Sequence, residues 1–481
     1  MAHVNNVMII RRDLLSRMAE LYKEGKLEEG IDRIPLEISR RIRNNERCCI
    51  YKARAVVKYK LMGLMGFGIE DEKDELDPLS HYARLTLDGQ NPSDKYLTIV
   101  DEACTSCVKA NYIVTNLCKG CIAQPCINNC PKKAITRNSD GKAFINPDHC
   151  VNCGICKEQC PYHSIVYMPV PCEESCPVNA IHKDANGVER IDEEKCILCG
   201  KCINACPFGS IIETTHLFDV MDLLKNHQAV TAVVAPSLFG QFQAKPGSIV
   251  NALLALGFTH VVEAARGAME TTRHEAAELK QRIDEGQPFM TTSCCTAWVN
   301  AAKQHLPEIL PYVSSTPSPL AFAAKICKED HPGETVVFIG PCVAKCKEAR
   351  ENPDVDMVMT FEELSCLLHG WNVSVVECDD MAMDASIGML ERRYCISGSV
   401  AQAVNASAGG RFTTKAINGL DKKQLRLLSA MGKTGKAEAQ MVEVMSCEGG
   451  CIAGPCSYEF PKEAQKYFNQ NMEAFGKDTQ D

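Results

Sequence analysis

Cysteine spacing constrains this chain more than any other feature. The order is Cys118-x2-Cys121-x4-Cys126-x3-Cys130-Pro131, then Cys150-x2-Cys153-x2-Cys156-x3-Cys160-Pro161, then Cys196-x2-Cys199-x2-Cys202-x3-Cys206-Pro207. Three closely spaced thiolates wrap one [4Fe-4S] cubane, and the fourth, just before proline, reaches the neighbouring cluster. A region built this way is expected to be short loops around metal and to conduct electrons. Such a wire needs something at its end.

The spacing also divides the thiolates. Cys118, Cys121, Cys126 and Cys160 fall to one cubane, and Cys150, Cys153, Cys156 and Cys130 to the next. Cys196, Cys199, Cys202 and Cys176 make a third. The segment Cys126–Cys160 holds CxxxCP, a hairpin-like stretch at Lys142–Ile145 and CxxCxxCxxxCP; Cys172–Cys206 repeats that order, with Val188–Ile191 in the hairpin place. Two tandem ferredoxin-like modules are expected. Cys172 and Cys206 are left with an incomplete set, and Cys104-x2-Cys107 lies just upstream. These four are expected to make a fourth cubane. The alternatives are that Cys104 and Cys107 are free or bind zinc, or that Cys48-Cys49 is the donor pair.

Twenty-nine cysteines accompany a start, Met1 to Leu15, that has no apolar signal segment. That combination points to metal use in a reducing cytoplasm rather than to disulfides. The apolar run Leu61–Phe67 is too short to span a bilayer. A net charge of −9 does not suggest nucleic-acid binding. Residues 1–60 nevertheless hold 14 Lys+Arg against 8 Asp+Glu, a basic segment that could receive an acidic partner near Arg40, Arg41 and Arg43. Leu14, Met18, Leu21 and Tyr22 follow the spacing of a packing helix, and Glu70–Glu75 reads as a solvated linker.

From about residue 225 the pattern becomes α/β. Ala229–Val234, Thr335–Ile339 and Met441–Met445 are buried-strand runs, and Glu270–Glu285 is a helix. The strands end in Pro236-Ser237, Pro341-Cys342 and Ser446-Cys447, the arrangement of a ligand crevice in an open α/β sheet.

Three cysteine motifs here lack ferredoxin spacing: Thr292-Ser293-Cys294-Cys295-Thr296-Ala297-Trp298, Gly340-Pro341-Cys342-Val343-Ala344-Lys345-Cys346-Lys347-Glu348, and Glu443-Val444-Met445-Ser446-Cys447-Glu448-Gly449-Gly450-Cys451. In this order, after a cluster wire, they closely resemble the three signatures of [FeFe]-hydrogenases. The resemblance covers about residues 100–460. It implies an H-cluster, a cubane joined to a two-iron unit with CO, cyanide and azadithiolate ligands, and four accessory [4Fe-4S] clusters. It implies that Cys295, Cys342, Cys447 and Cys451 hold the cubane, with Cys451 bridging. Cys294 is then the proton-relay cysteine, Lys345 a donor to cyanide, Met445 the residue beside the bridging carbonyl, and Pro236-Ser237 the segment at the other cyanide. Glu275, Glu278 and Ser314 match the family's proton path; the alternative for Glu278 is a surface pair with Arg282. Partners implied are H2 and protons, ferredoxin or flavodoxin, and a maturation machinery, since the protein cannot make the centre by itself.

Three departures stand out: Thr296 for the usual proline, Gly340 for methionine, and Ile452-Ala453-Gly454-Pro455-Cys456 after the last ligand. They resemble the branch called group B, and Thr296 is expected to loosen the loop that aims Cys294. Rival readings are an iron–sulfur assembly factor, an H2 sensor and a plain electron carrier; Cys294, Lys345 and Met445 weigh against the first. The expected architecture is multidomain, α+β and α/β: a helical N-terminal segment (1–99), ferredoxin-like 2[4Fe-4S] modules (100–170 and 171–220), and a two-lobed α/β catalytic H-domain (221–481).

Overall fold

A computed structural model describes residues 5–39, 49–90, 95–104, 107, 109 and 111–478. The first helix, Asn6–Glu24, starts at Asn5, whose side chain accepts from the Met8 amide, and stops at Gly25 with φ 72°. An acceptor side chain at the start and a residue without Cβ at the end satisfy the backbone groups that a helix leaves open. Leu14, Met18 and Tyr22 are buried as their spacing predicts, and Leu21 is half-buried. Their face packs on the distant helix Phe361–Gly370. Gly370 permits the approach, since a Cβ there would lie 2.7 Å from the Ser16 carbonyl oxygen. Trp371 Nε1 donates to the Ala19 carbonyl at 3.1 Å.

This docking turns basic side chains inward. Arg11 pairs with Glu213 and, at 2.7 Å, with Glu362. Arg12 also reaches Glu362, Arg17 pairs with Asp13 and Glu37, and Lys23 donates to the Trp371 carbonyl. Much of the basic excess is therefore neutralised within the fold rather than offered to a partner; Arg40, Arg41, Arg43 and Cys48 lie outside the described residues. The acidic run is likewise anchored and not simply solvated. Glu72 accepts from Lys58 at 2.8 Å and from the Tyr59 hydroxyl at 2.7 Å, so its carboxylate ties the run to the helix Ile50–Leu64.

The cysteine-rich region is made of turns and two-stranded pairs. Ile135–Arg137 pairs with Ala143–Ile145, and Ile181–Lys183 with Glu189–Ile191, in the two expected hairpin places. The repeat extends to the backbone. Lys133, Asn152 and Gly154 have positive φ in the first copy, and Asn179, Leu198 and Gly200 in the second. Left-handed residues bend the chain tightly enough to aim successive thiols at one point. Leu97–Ile99 pairs antiparallel with Ile211–Glu213 and straps the two ends of the region together.

The C-terminal half is α/β, built on two parallel sheets. One has the order His260–Glu263, Val230–Val234, Thr335–Gly340, Met357–Thr360; the other Met290–Thr291, Met441–Met445, Thr414–Asn418. Val230–Val234 is buried throughout, as a β-branched run inside a parallel sheet should be. The long helix Ala264–Asp284 starts earlier than its charged residues suggest. Its first turns carry small residues that let the helix Pro319–Asp330 approach; a Cβ on Gly267 would sit 2.1 Å from the Pro319 carbonyl. Among the described residues no helix is long and apolar enough to cross a membrane.

Candidate metal centre and proton path

Four thiols reach one nest from the ends of four elements. Cys295 caps the helix Thr296–His305, and Cys342 follows Thr335–Gly340. Cys447 follows Met441–Met445, and Cys451 opens the turn Cys451–Ala453. Gly450, with φ 96°, makes the second pass possible, since a Cβ there would meet the Cys395 carbonyl at 2.4 Å. Cys447 lies within electrostatic reach of Cys342, Cys451 and Cys295, and Cys451 of Cys295 and Cys342. Burial pushes these thiols up, Cys342 to about 11 and Cys451 to about 12. Such thiols hold protons until a metal takes their charge, so binding releases protons. Four half-buried thiols with no disulfide among them fit a cubane.

Around the nest the structure also fits a further ligand-bearing group. Ser237 Oγ is buried without a hydrogen-bond partner, and its turn, Pro236–Gly240, packs on Cys451–Ala453. Met445 shares an apolar cluster with Cys294 and Cys295. Lys345 is half-buried, within electrostatic reach of Cys342 and Cys294. Burial alone would lower its pKa, but Glu348, at 2.5 Å, outweighs this and holds the ammonium charged. Glu348 in turn accepts from Ser318 and from Thr296. Thr296 therefore anchors its loop instead of loosening it: its hydroxyl joins the first signature to the second through the glutamate that holds Lys345. The other departures have steric counterparts. A Cβ at Gly340 would come within 2.6 Å of the Phe338 ring, which occupies that space. Pro455 lies against Gly200, where a Cβ would be 2.5 Å from its ring, so the second cluster module docks on the third signature.

A polar path leads away from Cys294. Burial pushes the Cys294 thiol well up, and Glu275 adds the largest electrostatic push. Glu275 is fully buried; desolvation pushes it up to about 7, against donation from Ser293 and Ser314. Its Oε1 accepts from the Ser293 amide at 2.9 Å and hydroxyl at 3.1 Å. One turn on, Glu278 accepts from Ser314 Oγ at 2.6 Å, Thr316 Oγ1 at 3.0 Å and the Ser315 amide at 2.9 Å. It also pairs with Arg282 at 2.5 Å. Burial alone would raise Glu278, but these donors outweigh it and hold the carboxylate below its usual range. The surface pair with Arg282 and the bridge to Ser314 thus exist together. Sequence reasoning missed Ser293, which sits inside the first signature and grips Glu275. It also missed Tyr394, whose hydroxyl meets Thr272 Oγ1 at 2.6 Å near Glu275 and Cys294. Neither carries a spacing signal.

The accessory thiols gather in the expected sets. Cys118, Cys121, Cys126 and Cys160 line one hollow. Cys130, Cys150, Cys153 and Cys156 line a second, and Cys176, Cys196, Cys199 and Cys202 a third. Three hollows with four thiols each fit one cubane apiece. Cys104, Cys107 and Cys172 each lie within electrostatic reach of Cys206, and Cys172 of Cys104. Burial pushes Cys172 up to about 12, with the buried carboxylate of Glu189 beside it. Cys199 is within reach of Cys447, so the second module meets the nest.

Residues 228–455 match the family model described as the iron only hydrogenase large subunit, C-terminal domain. Residues 143–166 match a 4Fe-4S binding domain, and 166–217 the LdpA Fe-S cluster-binding domain. Iron hydrogenase 1 of Clostridium pasteurianum is 27% identical over 270 residues, 46% of this chain and 47% of that protein. The NADP-reducing hydrogenase subunit HndD of Solidesulfovibrio fructosivorans is 26% identical over 332 residues, 56% of this chain and 55% of that one. The chain spans about half the length of these curated relatives. A variant of the [FeFe]-hydrogenase HydA1 from Chlamydomonas reinhardtii superposes with a TM-score of 0.46 at 20% identity, covering 53% of this chain and 88% of that one.

Proposed function

We propose that this chain, which carries an iron-only hydrogenase C-terminal domain behind 4Fe-4S ferredoxin-like modules, is a cytoplasmic [FeFe]-hydrogenase of the group B kind, catalysing 2H+ + 2e− ⇌ H2. The observation that carries this reading is the position of Cys294. It is the chain neighbour of Cys295 in the four-thiol nest, shares an apolar cluster with it, and lies within electrostatic reach of the buried carboxylate of Glu275. Cys295, Cys342, Cys447 and Cys451 would hold the cubane of an H-cluster, with Cys451 bridging to its two-iron unit. Ser237 and Lys345 would donate to that unit, and Met445 would pack beside it. When bound, the unit supplies the metal at which protons and electrons combine.

The chain's own residues do the rest. Glu278 stays ionised at the outer end of the path, where Arg282 and Ser314 hold it. Glu275, near 7, exchanges a proton readily at neutral pH. Cys294 stays a neutral thiol and can hand its proton inward while taking another from Glu275. The four accessory sets, Cys104, Cys107, Cys172 and Cys206 included, would hold [4Fe-4S] clusters that would supply the electron route from ferredoxin or flavodoxin. The divisions at 1–99, 100–170, 171–220 and 221–481 belong to the same proposal. A plain assembly factor would have no use for this buried acid path or for an unpartnered Ser237.

Infrared spectroscopy of protein matured with a two-iron unit tests the proposal: CO and cyanide bands and H2 turnover are expected. Cys294→Ala should keep the bands while turnover falls by about a hundredfold or more, the usual scale for losing a positioned proton donor. Full activity in that variant, or loss of its cubane iron, overturns the assignment. Without the two-iron unit the chain should carry about 20 iron atoms, falling to about 16 in a Cys104→Ala, Cys107→Ala double variant, at four per cubane.

A further inference from the structure

The first cluster module differs from the rest of the surface in three ways. Six large apolar side chains stand exposed within residues 117–166: Leu117, Ile122, Phe144, Val151, Tyr162 and Val166, with Ile122 at 95% and Val151 at 56%. Residues 111–168 hold six Lys+Arg against three Asp+Glu, within a chain of net charge −9. Among the described residues the one exposed cysteine, Cys153, is here. One exposed apolar residue, one lysine and the exposed thiol come together at one place. Cys153, Val151 and Lys132 line the same hollow, and Lys133 is on the adjoining turn. Among the described residues neither Lys132 nor Lys133 has an ion-pair partner, whereas Arg11, Arg12 and Arg17 of the first helix are all paired.

We infer that this face, apolar residues beside an exposed thiol with lysines at the rim, is where a small acidic iron–sulfur electron carrier docks, and that electrons enter at the quartet Cys130, Cys150, Cys153 and Cys156. The inference rests on the hydrogenase reading and adds to it the place of docking. An apolar centre with a charged rim is the usual anatomy of an interface. Complementary charge supplies steering and register, with a rate that falls as salt screens it. Each carrier gives up one electron per visit, so two reduced carriers and two protons yield two oxidised carriers and one H2. The carrier's acidic surface meets Lys132 and Lys133 while its cluster approaches Cys153. The N-terminal helix is a poorer partner because its charges are already satisfied by Glu213, Glu362 and Asp13.

The test uses the full matured protein, an acidic bacterial 2[4Fe-4S] ferredoxin as probe, and methyl viologen as a small dye that needs no docking face. In the Lys132→Glu, Lys133→Glu double variant the ferredoxin KM and Kd should rise about tenfold or more, and their salt dependence should weaken. Iron content and dye-driven turnover should stay within about twofold of wild type, since neither lysine supplies a cluster thiol. Arg40→Glu with Arg41→Glu and Arg43→Glu should leave the ferredoxin KM unchanged. Unaltered ferredoxin KM and Kd in the lysine variant overturn the inference, as does a rise in the arginine variant alone. Sedimentation showing a dimer that Val151→Glu dissociates assigns the face to a second copy of this chain and also overturns it. Absence of dye-driven H2 in wild type counts against the hydrogenase reading, while the ferredoxin Kd still tests the face.

Discussion

The two cluster modules have the same cysteine spacing and opposite surroundings. In the first, Cys153 is exposed and Val151 and Tyr162 stand in solvent. In the second, Gly200 is pressed against Pro455 and Val343, and Cys199 faces the catalytic nest. Burial pushes Cys196 and Cys199 up to about 11. Matched ligand spacing therefore sits in opposite surroundings: one copy is open to solvent, the other is packed against the four-thiol nest. The same contrast recurs in two glutamates one turn apart. Glu275, fully buried, rises to about 7, and Glu278, half-buried and gripped by donors, falls.

The sharpest way to break the comparison is to remove one matched ligand from each module. Cys199→Ala should lower both dye-driven and ferredoxin-driven turnover by about a hundredfold, because the sealed module offers no detour. Cys153→Ala should lower ferredoxin-driven turnover to a similar degree while sparing most dye-driven turnover. Equal losses in both assays for both variants would erase the distinction between the modules.

The two glutamates should part company with pH. The folded pKa of Glu275 lies above the unfolded value of about 4.3, so its contribution to stability is complete below that value and lost as pH rises to about 7. Glu275→Gln should remove that loss, gaining on the order of 2–3 kcal/mol over wild type by pH 8, read from Tm, while turnover falls at least about tenfold. Glu278 has the opposite sign, since its folded pKa is depressed and its stabilisation is present above the unfolded value and fades on acidification. Glu278→Gln should therefore be destabilised at pH 7 and approach wild type near pH 3. Parallel Tm profiles for the two variants contradict this assignment.

The smallest effect concerns matched glycines. Gly154 and Gly200 have φ of 81° and 71°, so alanine strains either turn by about 1–3 kcal/mol. At Gly154 the new Cβ meets only the Tyr112 hydroxyl, at 2.9 Å, which can swing away; at Gly200 it meets the rigid Pro455 ring. Chemical denaturation should rank Gly200→Ala as the more destabilised, and only that variant should lose electron flow into the catalytic half.

Repeats of fixed spacing were legible in the sequence. Three cysteine quartets, both hairpins and the strand Met441–Met445 could be read because thiol ligation and buried β-runs leave local patterns. The meeting of Cys104 and Cys107 with Cys172 and Cys206 could only be guessed, since those pairs lie far apart in the chain and neither completes a motif. The inward turn of Arg11 was not legible at all: a local charge count cannot know that Glu213 and Glu362 will arrive opposite it. Thr296 misled for the same reason. As a missing proline it suggested slack, whereas its partner, Glu348, belongs to a different signature.

The helix Asn6–Glu24 also bears on how the chain is made. Its apolar face is covered by Phe361–Gly370, and Trp371 bonds to Ala19 across a separation of 352 residues. This helix must therefore wait for a partner made 352 residues later, roughly 20–70 s at 5–20 residues per second. The first cluster module, whose strand pairings are local, is complete long before that and can fold first. The nascent protein thus passes through a period in which its wire can be loaded with iron while the N-terminal helix has not yet closed over the catalytic half.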